Sequence, residues 1–278
     1  MKKFNLIGSL VWCFLLAACM TNAGPVNQVL DQTIDLTGKK GIVVQINSGD
    51  VEISPGAGTA LEISAATDAS EKPAFQIDQL ASEIHITSNY NPGLFSLSRG
   101  APPRLSLKIP FGQTLKINSY DATINMDTYK GDLEITAISG KITIKNFSGN
   151  ANLKSNRGDI SLSDSSGEMS ILGNYGTFTL ENLKGIIDSS TIMGAIIFKG
   201  RVDAQDVIHL ETDHAPVQIG LLPGSNLTVQ ISSTSGNTIC MLPDLTSTTR
   251  ICKGIIGTGA GKLDVRTVSG DITLQQNP

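Results

Sequence analysis

Apolar and polar residues alternate along the middle of the chain in short cassettes, each opened by a glycine. The glycines recur every nine residues, at Gly131, Gly140, Gly149, Gly158, Gly167, Gly176, Gly185 and Gly194. In the segment Gly140-Lys141-Ile142-Thr143-Ile144, the second and fourth residues after the glycine are apolar. Strand side chains point alternately to opposite faces, so each cassette predicts a short strand with one buried face. Fixed-period repetition of such strands is typical of a β-solenoid.

Alternate cassettes differ just before the glycine. Three residues before every second glycine stands a Thr, Asn or Asp: Thr128, Asn146, Asp164 or Asn182. Two unlike halves of this kind predict one coil of 18 residues, with a three-sided coil of about 27 residues as the alternative. The predicted fold is all-β, a single-stranded right-handed β-helix with about nine residues per strand-turn unit, over residues 39–278. Gly185 departs from the pattern, because Ile186-Ile187-Asp188-Ser189 follows it, and predicts an irregular rung.

The repeat loosens towards both ends of the chain. Alternation from Gln28 to Leu36 is weak and is consistent with a first strand, and the loop from Pro92 to Pro103 is rich in helix and strand breakers. The open edges of a stacked sheet need covering. We expect residues 28–45 and 262–278 to cover them.

The N-terminus has the pattern of an export signal. Lys2 and Lys3 precede an apolar run from Phe4 to Leu16 that is short for a membrane span. The segment Leu16-Ala17-Ala18-Cys19 resembles the lipobox of bacterial lipoproteins. The resemblance implies a signal peptide at 1–18, an acylated Cys19 and a tether over 19–38. Ordinary cleavage after Ala23, with no lipid on Cys19, is the alternative.

The predicted lipid anchor indicates where in the cell the protein is located. Met20 rather than aspartate follows Cys19, which by analogy with Gram-negative lipoproteins argues against retention at the inner membrane. We therefore expect an exported, membrane-anchored lipoprotein of a bacterial cell envelope, at the outer membrane or the cell surface. Two or more acyl chains anchor a protein stably, since each buried methylene contributes about 0.8 kcal/mol.

Charge and cysteine content narrow the possible partners. The net charge is −4, so nothing indicates nucleic-acid binding. Of the four cysteines, Cys13 lies in the predicted signal and Cys19 carries the lipid. Cys240 and Cys252 remain, and in an oxidising compartment they predict a disulfide across a hairpin at Pro243-Asp244. Two buried thiols are the alternative, and two cysteines alone do not complete a zinc site.

Candidate chemistry along the chain is sparse. Arg157-Gly158-Asp159 has the integrin-type tripeptide sequence, but Gly158 also fills the repeat position. His209, Glu211 and Asp213 alternate and would share one strand face, as either a metal-binding set or a solvated polar face. The acidic residues are scattered, with lysines between them, and no nucleophile or phosphate-binding motif occurs. We predict no catalytic residues, no metal and no cofactor, and the ligand-binding residues stay unassigned.

Four features of the sequence resemble a known family. They are Ser48-Gly49-Asp50-Val51, the end of a strand followed by Pro-Phe-Gly at Ile109–Gly112, the run of glycine cassettes, and the closing Val265-Arg266-Thr267-Val268-Ser269-Gly270-Asp271-Ile272. Together they resemble the DUF4097 "putative adhesin" family across residues 40–275. The resemblance implies a β-helix-like domain on an exported protein. We expect a non-enzymatic adhesion or binding module, held to the membrane by its lipid, whose partner is an envelope polymer, a glycan or a protein. The alternatives are an envelope scaffold and, third, a polysaccharide-active β-helix enzyme.

Overall fold

The computed structural model describes residues 27–67, 75–88 and 102–277, and these form strands, turns and bends without a helix. The predicted signal peptide, Cys19 and most of the Pro92–Pro103 loop lie outside the described residues. The strands are β1 Asn27–Asp35, β2 Gly41–Pro55, β3 Ala60–Thr67, β4 Phe75–Gln79, β5 Glu83–Ser88, β6 Arg104–Ile109, β7 Thr114–Lys130, β8 Asp132–Ser139, β9 Ile142–Ser155, β10 Ile160–Ser163, β11 Ser166–Gly173, β12 Phe178–Glu181, β13 Lys184–Thr191, β14 Ile196–Gly200, β15 Val207–Thr212, β16 Val217–Leu221, β17 Leu227–Ser233, β18 Thr238–Cys240, β19 Leu245–Ser247, β20 Ile251–Ile256, β21 Gly261–Thr267 and β22 Ile272–Gln276.

The strands stack into two long faces that share one core. On the first face the order is β4-β5-β2-β7-β8-β9-β11-β13-β15-β21-β17-β20-β19. On the second face it is β1-β3-β6-β2-β7-β9-β10-β12-β14-β16-β22-β18. The fold is thus all-β and solenoid-like. We call one level of the stack, with a strand segment on each face, a rung.

The pairing in the centre is parallel and regular. Ile160 lies between Ile142 and Phe178, so residues 18 positions apart in the chain are neighbours in space. The same offset holds on the first face, where Met169 lies between Ala151 and Ile187. The handedness of the coil stays a prediction.

Inward-pointing apolar ladders form the core. The two ladders of the second face run through pairs of fully buried residues, such as Ile142 with Ile144 and Ile160 with Leu162. Burying a side chain of this size contributes about 1.5–3 kcal/mol. Because each rung covers the next, stability depends on stacking neighbours and not on any one strand.

The rung after Gly185 is regular, against the sequence prediction. Ile187 is fully buried in register with Met169, while Ile186 points outward and is half exposed. Ser189 occupies the second inward position and is also buried, so a small polar residue stands where the pattern expects an apolar one. The true irregularity follows one rung later, where the segment before β15 lengthens the offset to 21 residues.

The ends of the stack do not follow chain order. At one end β2 lies between β7 and the later strands β5 and β6. At the other end β21 and β22, the last strands in the chain, lie between β15–β16 and the earlier β17–β18. The expectation that residues 262–278 cover an edge is therefore wrong, because that segment is interior.

Antiparallel strands cover the ends instead. β1 and β3 lie beyond β6, and β4 lies beyond β5, so only the first part of the predicted 28–45 segment is a cover. At the far end β20 and β19 cover β17. Antiparallel pairing stops the parallel register from propagating to another chain, which limits edge-to-edge association.

A disulfide joins Cys240 of β18 to Cys252 of β20, with 6.4 Å between the Cα atoms. The bond therefore links β18, the last strand of the second face, to β20, the strand that covers the end of the first face. The hairpin it holds differs from the predicted one, because β19 and β20 reverse the chain at residues 248–250, and Pro243-Asp244 forms a separate turn before β19.

Candidate functional site

The corner that leads from the second face to the first has a structural role. Thr128, Asn146, Asp164 and Asn182, the series noted in the sequence, have left-handed φ angles of 59°, 52°, 51° and 51°. Asn and Asp tolerate this conformation better than most residues. The Asn182 amide donates to Asp164 Oδ1 at 3.0 Å, and the Asn146 amide donates to Asp127 Oδ1 at 2.9 Å. This Asn146 bond is the main reason that the pKa of Asp127 lies below its usual value.

Tyr129 closes the inside of this corner. Its hydroxyl donates to the Gln113 carbonyl at 2.6 Å, and its ring stacks on Phe147 with 6.4 Å between centroids. The side chain is fully buried, and this burial raises the pKa of Tyr129.

The raised pKa of Tyr129 predicts a loss of stability at high pH. Below the ordinary tyrosine pKa of 10.0 the phenol is neutral in both the folded and unfolded states. Above it the unfolded chain ionises and the folded chain does not, so stability falls as pH rises. We expect Tyr129→Phe to lose about 1 kcal/mol at pH 8 and to show a smaller further loss at pH 11 than wild type, measured by urea denaturation. Equal alkaline losses in both proteins would contradict this.

The opposite corner, from the first face to the second, is fixed by buried hydroxyl groups. Ser155 Oγ accepts from the Gly158 amide at 2.8 Å, and Thr191 Oγ1 accepts from the Gly194 amide at 3.1 Å. The same contact recurs at Ser233, which accepts from the backbone three residues on. These hydroxyls hold the turns and are not available to a ligand.

The Arg-Gly-Asp tripeptide lies in this second corner. Arg157 is exposed, but Gly158 packs against Gly140 of the preceding rung. Asp159 Oδ1 accepts a hydrogen bond from the Thr177 amide at 2.7 Å. Asp271 makes the same contact with the Asn237 amide, so Asp159 follows the repeat. The tripeptide is therefore part of a regular corner, with its carboxylate engaged.

His209 belongs to a network of charged side chains on the first face. Its ring nitrogens lie 3.5 Å from Glu211 Oε2 and 3.8 Å from Asp264 Oδ2. Asp264 is nearly buried and is held by both Arg266 contacts, at 3.2 and 2.9 Å. Asp213, expected beside His209, lies beyond the end of β15. No group of three or more His, Cys, Asp and Glu within the described ranges is placed to hold a metal ion.

A second charged cluster closes the lengthened rung before β15. Hydrogen bonds from Lys184, and then from Arg201, hold the pKa of Asp203 below its usual value. The buried Asp206 accepts from the Gly185 amide at 2.7 Å and from the Asp203 amide at 2.8 Å. The Asp206 carboxylate thus accepts the hydrogen bonds of two backbone amides in place of backbone carbonyl groups. These carboxylates are engaged in holding the loop.

The feature that sequence reasoning missed is a groove along the second corner. We call it the corner groove: its floor is formed by the small residues Ala137, Ser155 and Gly173, and its volume is about 470 Å³. One wall comes from the first face and the other from the corner itself; together they comprise Thr136, Lys154, Leu172, Ser190, Ile138, Asn156, Asn174 and Ile192. The sequence signal was available, since Ile138 and Ile192 stand two residues before repeat glycines, where a solvated turn would be polar.

Large apolar side chains extend this groove over the corner surface. Ile138, Tyr175, Ile192 and Met193 are 43%, 48%, 44% and 54% exposed. Ile138 and Ile192 lie in one ladder with two asparagines between them, and Tyr175 and Met193 are neighbours in the adjacent ladder. Exposed apolar side chains that lie close together among polar residues are typical of an interaction surface.

Comparison with protein-family models identifies the family of this chain. The family model described as Toastrack DUF4097 matches residues 39–275. A "putative adhesin" from Bacteroides fragilis has 11% identity, covers 89% of this chain and 98% of its own, and has a TM-score of 0.45. A "putative cell adhesion protein" from Clostridium sporogenes has 13% identity, coverage of 91% and 100%, and a TM-score of 0.29. No curated protein sequence matches at a significant level. In the part of the chain that the structure describes, no helix is long and apolar enough to span a membrane.

Proposed function

Since the chain belongs to the Toastrack DUF4097 family, we propose that it acts as a non-enzymatic binding or adhesion module anchored to a bacterial cell envelope by a lipid on Cys19. One observation carries the proposal: the described residues form a long, regular surface with a linear groove. His209 and Asp264 on the first face, and Asp203 and Asp206 on the lengthened rung, pair with neighbouring residues. Such a surface suits an extended partner better than a small substrate.

The same proposal takes the coil as single-stranded and right-handed, with two nine-residue halves. The 18-residue offset between neighbouring rungs supports the two halves. Connections between parallel strands of one sheet are right-handed in nearly all proteins, which supports the hand.

Anchoring sets the direction in which the module would face. Residues 20–26 separate Cys19 from β1, and an extended chain of that length spans roughly 25 Å. The end that carries β1 and β4 would therefore lie close to the membrane. The disulfide-bonded end would point away, and the corner groove would run outward between them.

Protease shaving of intact cells tests the location. If the module lies outside, protease releases or degrades the 39–278 domain from wild-type cells, and Cys19→Ala shifts the protein from the membrane to the soluble fraction. Membrane retention of the Cys19→Ala protein would contradict the lipid anchor.

The alternative location gives a different result in the same assay. Protection in intact cells that is lost on lysis would place the domain inside the envelope. That outcome favours the second candidate, a periplasmic or wall-side scaffold, and crosslinking to neighbouring proteins would then identify its partner.

A further inference from the structure

The walls of the corner groove contain apolar side chains, two asparagines and one cation, Lys154, and a second cation, Arg157, follows the wall residue Asn156 in the chain. Lys154 and Arg157 are both exposed, and neither forms an ion pair among the described residues. No aspartate or glutamate lines the groove. Two other cations of the first face are paired, Lys116 with Glu134 at 3.0 Å and Arg266 with Asp264 at 2.9 Å. The groove is therefore a local positive site on a chain of net charge −4.

The backbone of the corner is already used, which restricts the type of ligand. The amides of Asn156, Arg157, Tyr175 and Met193 each donate to a carbonyl of the preceding rung, at 2.8–3.1 Å. An extended peptide gains affinity mainly by adding main-chain hydrogen bonds to a free strand edge. Lying along this groove, a peptide would find no such edge and would leave its own amide groups poorly paired.

A carbohydrate chain matches the groups that remain. The Asn174 amide donates to Asn156 Oδ1 at 2.9 Å, which leaves the other amide groups of both side chains free for hydroxyl partners. Leu172, Ile192 and the ring of Tyr175 offer apolar surface for the C–H faces of sugar rings. Successive rungs lie about 4.8 Å apart, so a linear polymer lying along the stack axis would meet the apolar, amide and cationic wall residues one rung after another.

From this geometry we infer that the corner groove binds a linear anionic glycan, lying parallel to the stack axis, with its carboxylate or phosphate groups at Lys154 and Arg157. The inference rests on the proposed function and deepens it, because it names the ligand class and the binding surface. The apolar walls and the amides supply contact along the polymer, and the two cations select for charge.

Binding of polygalacturonate to the full chain in detergent tests the inference, with fully methyl-esterified polygalacturonate as an uncharged probe of the same backbone. We expect the charged polymer to bind, its affinity to fall as salt rises, and the ester to bind about tenfold more weakly or less. Lys154→Gln with Arg157→Gln should weaken binding about tenfold or more. Lys141→Gln with Lys145→Gln, which removes two exposed cations from the neighbouring second face, is the matched control and should change affinity less than about twofold.

Each other outcome overturns the inference. Equal losses in the two double variants would mean general charge attraction, and equal binding of poly-glutamate would mean that the sugar backbone is not recognised. Absence of polygalacturonate binding would also overturn it. If the chain binds an envelope polymer that the Lys154/Arg157 variant binds equally well, the groove assignment fails while the proposed function stands. Melting temperatures of both variants, expected to match wild type, exclude misfolding as the cause.

Discussion

Gly158→Ala is expected to destabilise the domain by about 3 kcal/mol, although alanine can adopt the backbone conformation of Gly158. A methyl group on Gly158 would overlap the carbonyl oxygen of Gly140 in the preceding rung and would also lie 2.8 Å from Ser155 Oγ. The rung spacing is fixed by hydrogen bonds on both sides, so the overlap is relieved only by moving two rungs apart. Urea denaturation of the purified variant measures the loss.

Gly58→Ala separates this steric effect from the general cost of replacing a glycine. Gly58 has φ of 62°, and nothing lies within 4 Å of the position that a methyl group would take. Its replacement should cost about 1 kcal/mol through backbone strain alone. Equal losses at Gly58 and Gly158 would mean that close stacking of the rungs is not what requires glycine.

Ile160→Asp should abolish folding at neutral pH. Ile160 is fully buried between Ile142 and Phe178 of the adjacent rungs. A carboxylate there would have no partner in the apolar ladder, and an unpaired buried charge costs several kcal/mol, of the order of 5. That is comparable with the whole stability of a typical domain. Circular dichroism and resistance to limited proteolysis report whether the variant folds.

The next residue provides the control. Ser161 is on the same strand, points outward, and lies between Thr143 and Thr179. Ser161→Asp should change stability by no more than about 0.5 kcal/mol. A folded Ile160→Asp variant, or an unfolded Ser161→Asp variant, would show that the assigned register is wrong.

The repeated centre could be predicted from sequence because each rung contacts the next at the same offset of 18 residues. Asn146 and Asn182 belong to the series that indicated an 18-residue coil, and the cassette spacing indicated which residues point inward. Ser189 misled the prediction, because a polar residue at an inward position looks like a break in the repeat. The buried Ile187 keeps the strand in register with its neighbours. Predicting this from sequence would require knowing which rungs lie on both sides.

The order of the rungs at the ends could not be predicted from sequence. β2 and β17 show the same alternation as the central strands, so the pattern gives their inward faces but not their neighbours. Insertion of β21 and β22 beside β15 and β16 depends on contacts between segments far apart in the chain. The corner groove was missed for a related reason: Ile138 and Ile192 stand where a solvated turn would be polar, but the sequence does not show that Ala137, Ser155 and Gly173 stack to form a floor.

The out-of-order ends have a mechanical consequence. β2 is paired on one edge with β7 from Gly41 to Ile53, and on the other edge with β5 and β6. A tensile load applied through the N-terminus would, after β1, have to shear both edges of β2 together, because no free edge is available for bonds to open one at a time. β21 and β22 place the C-terminus under the same constraint. A domain built in this way resists being unravelled from either terminus.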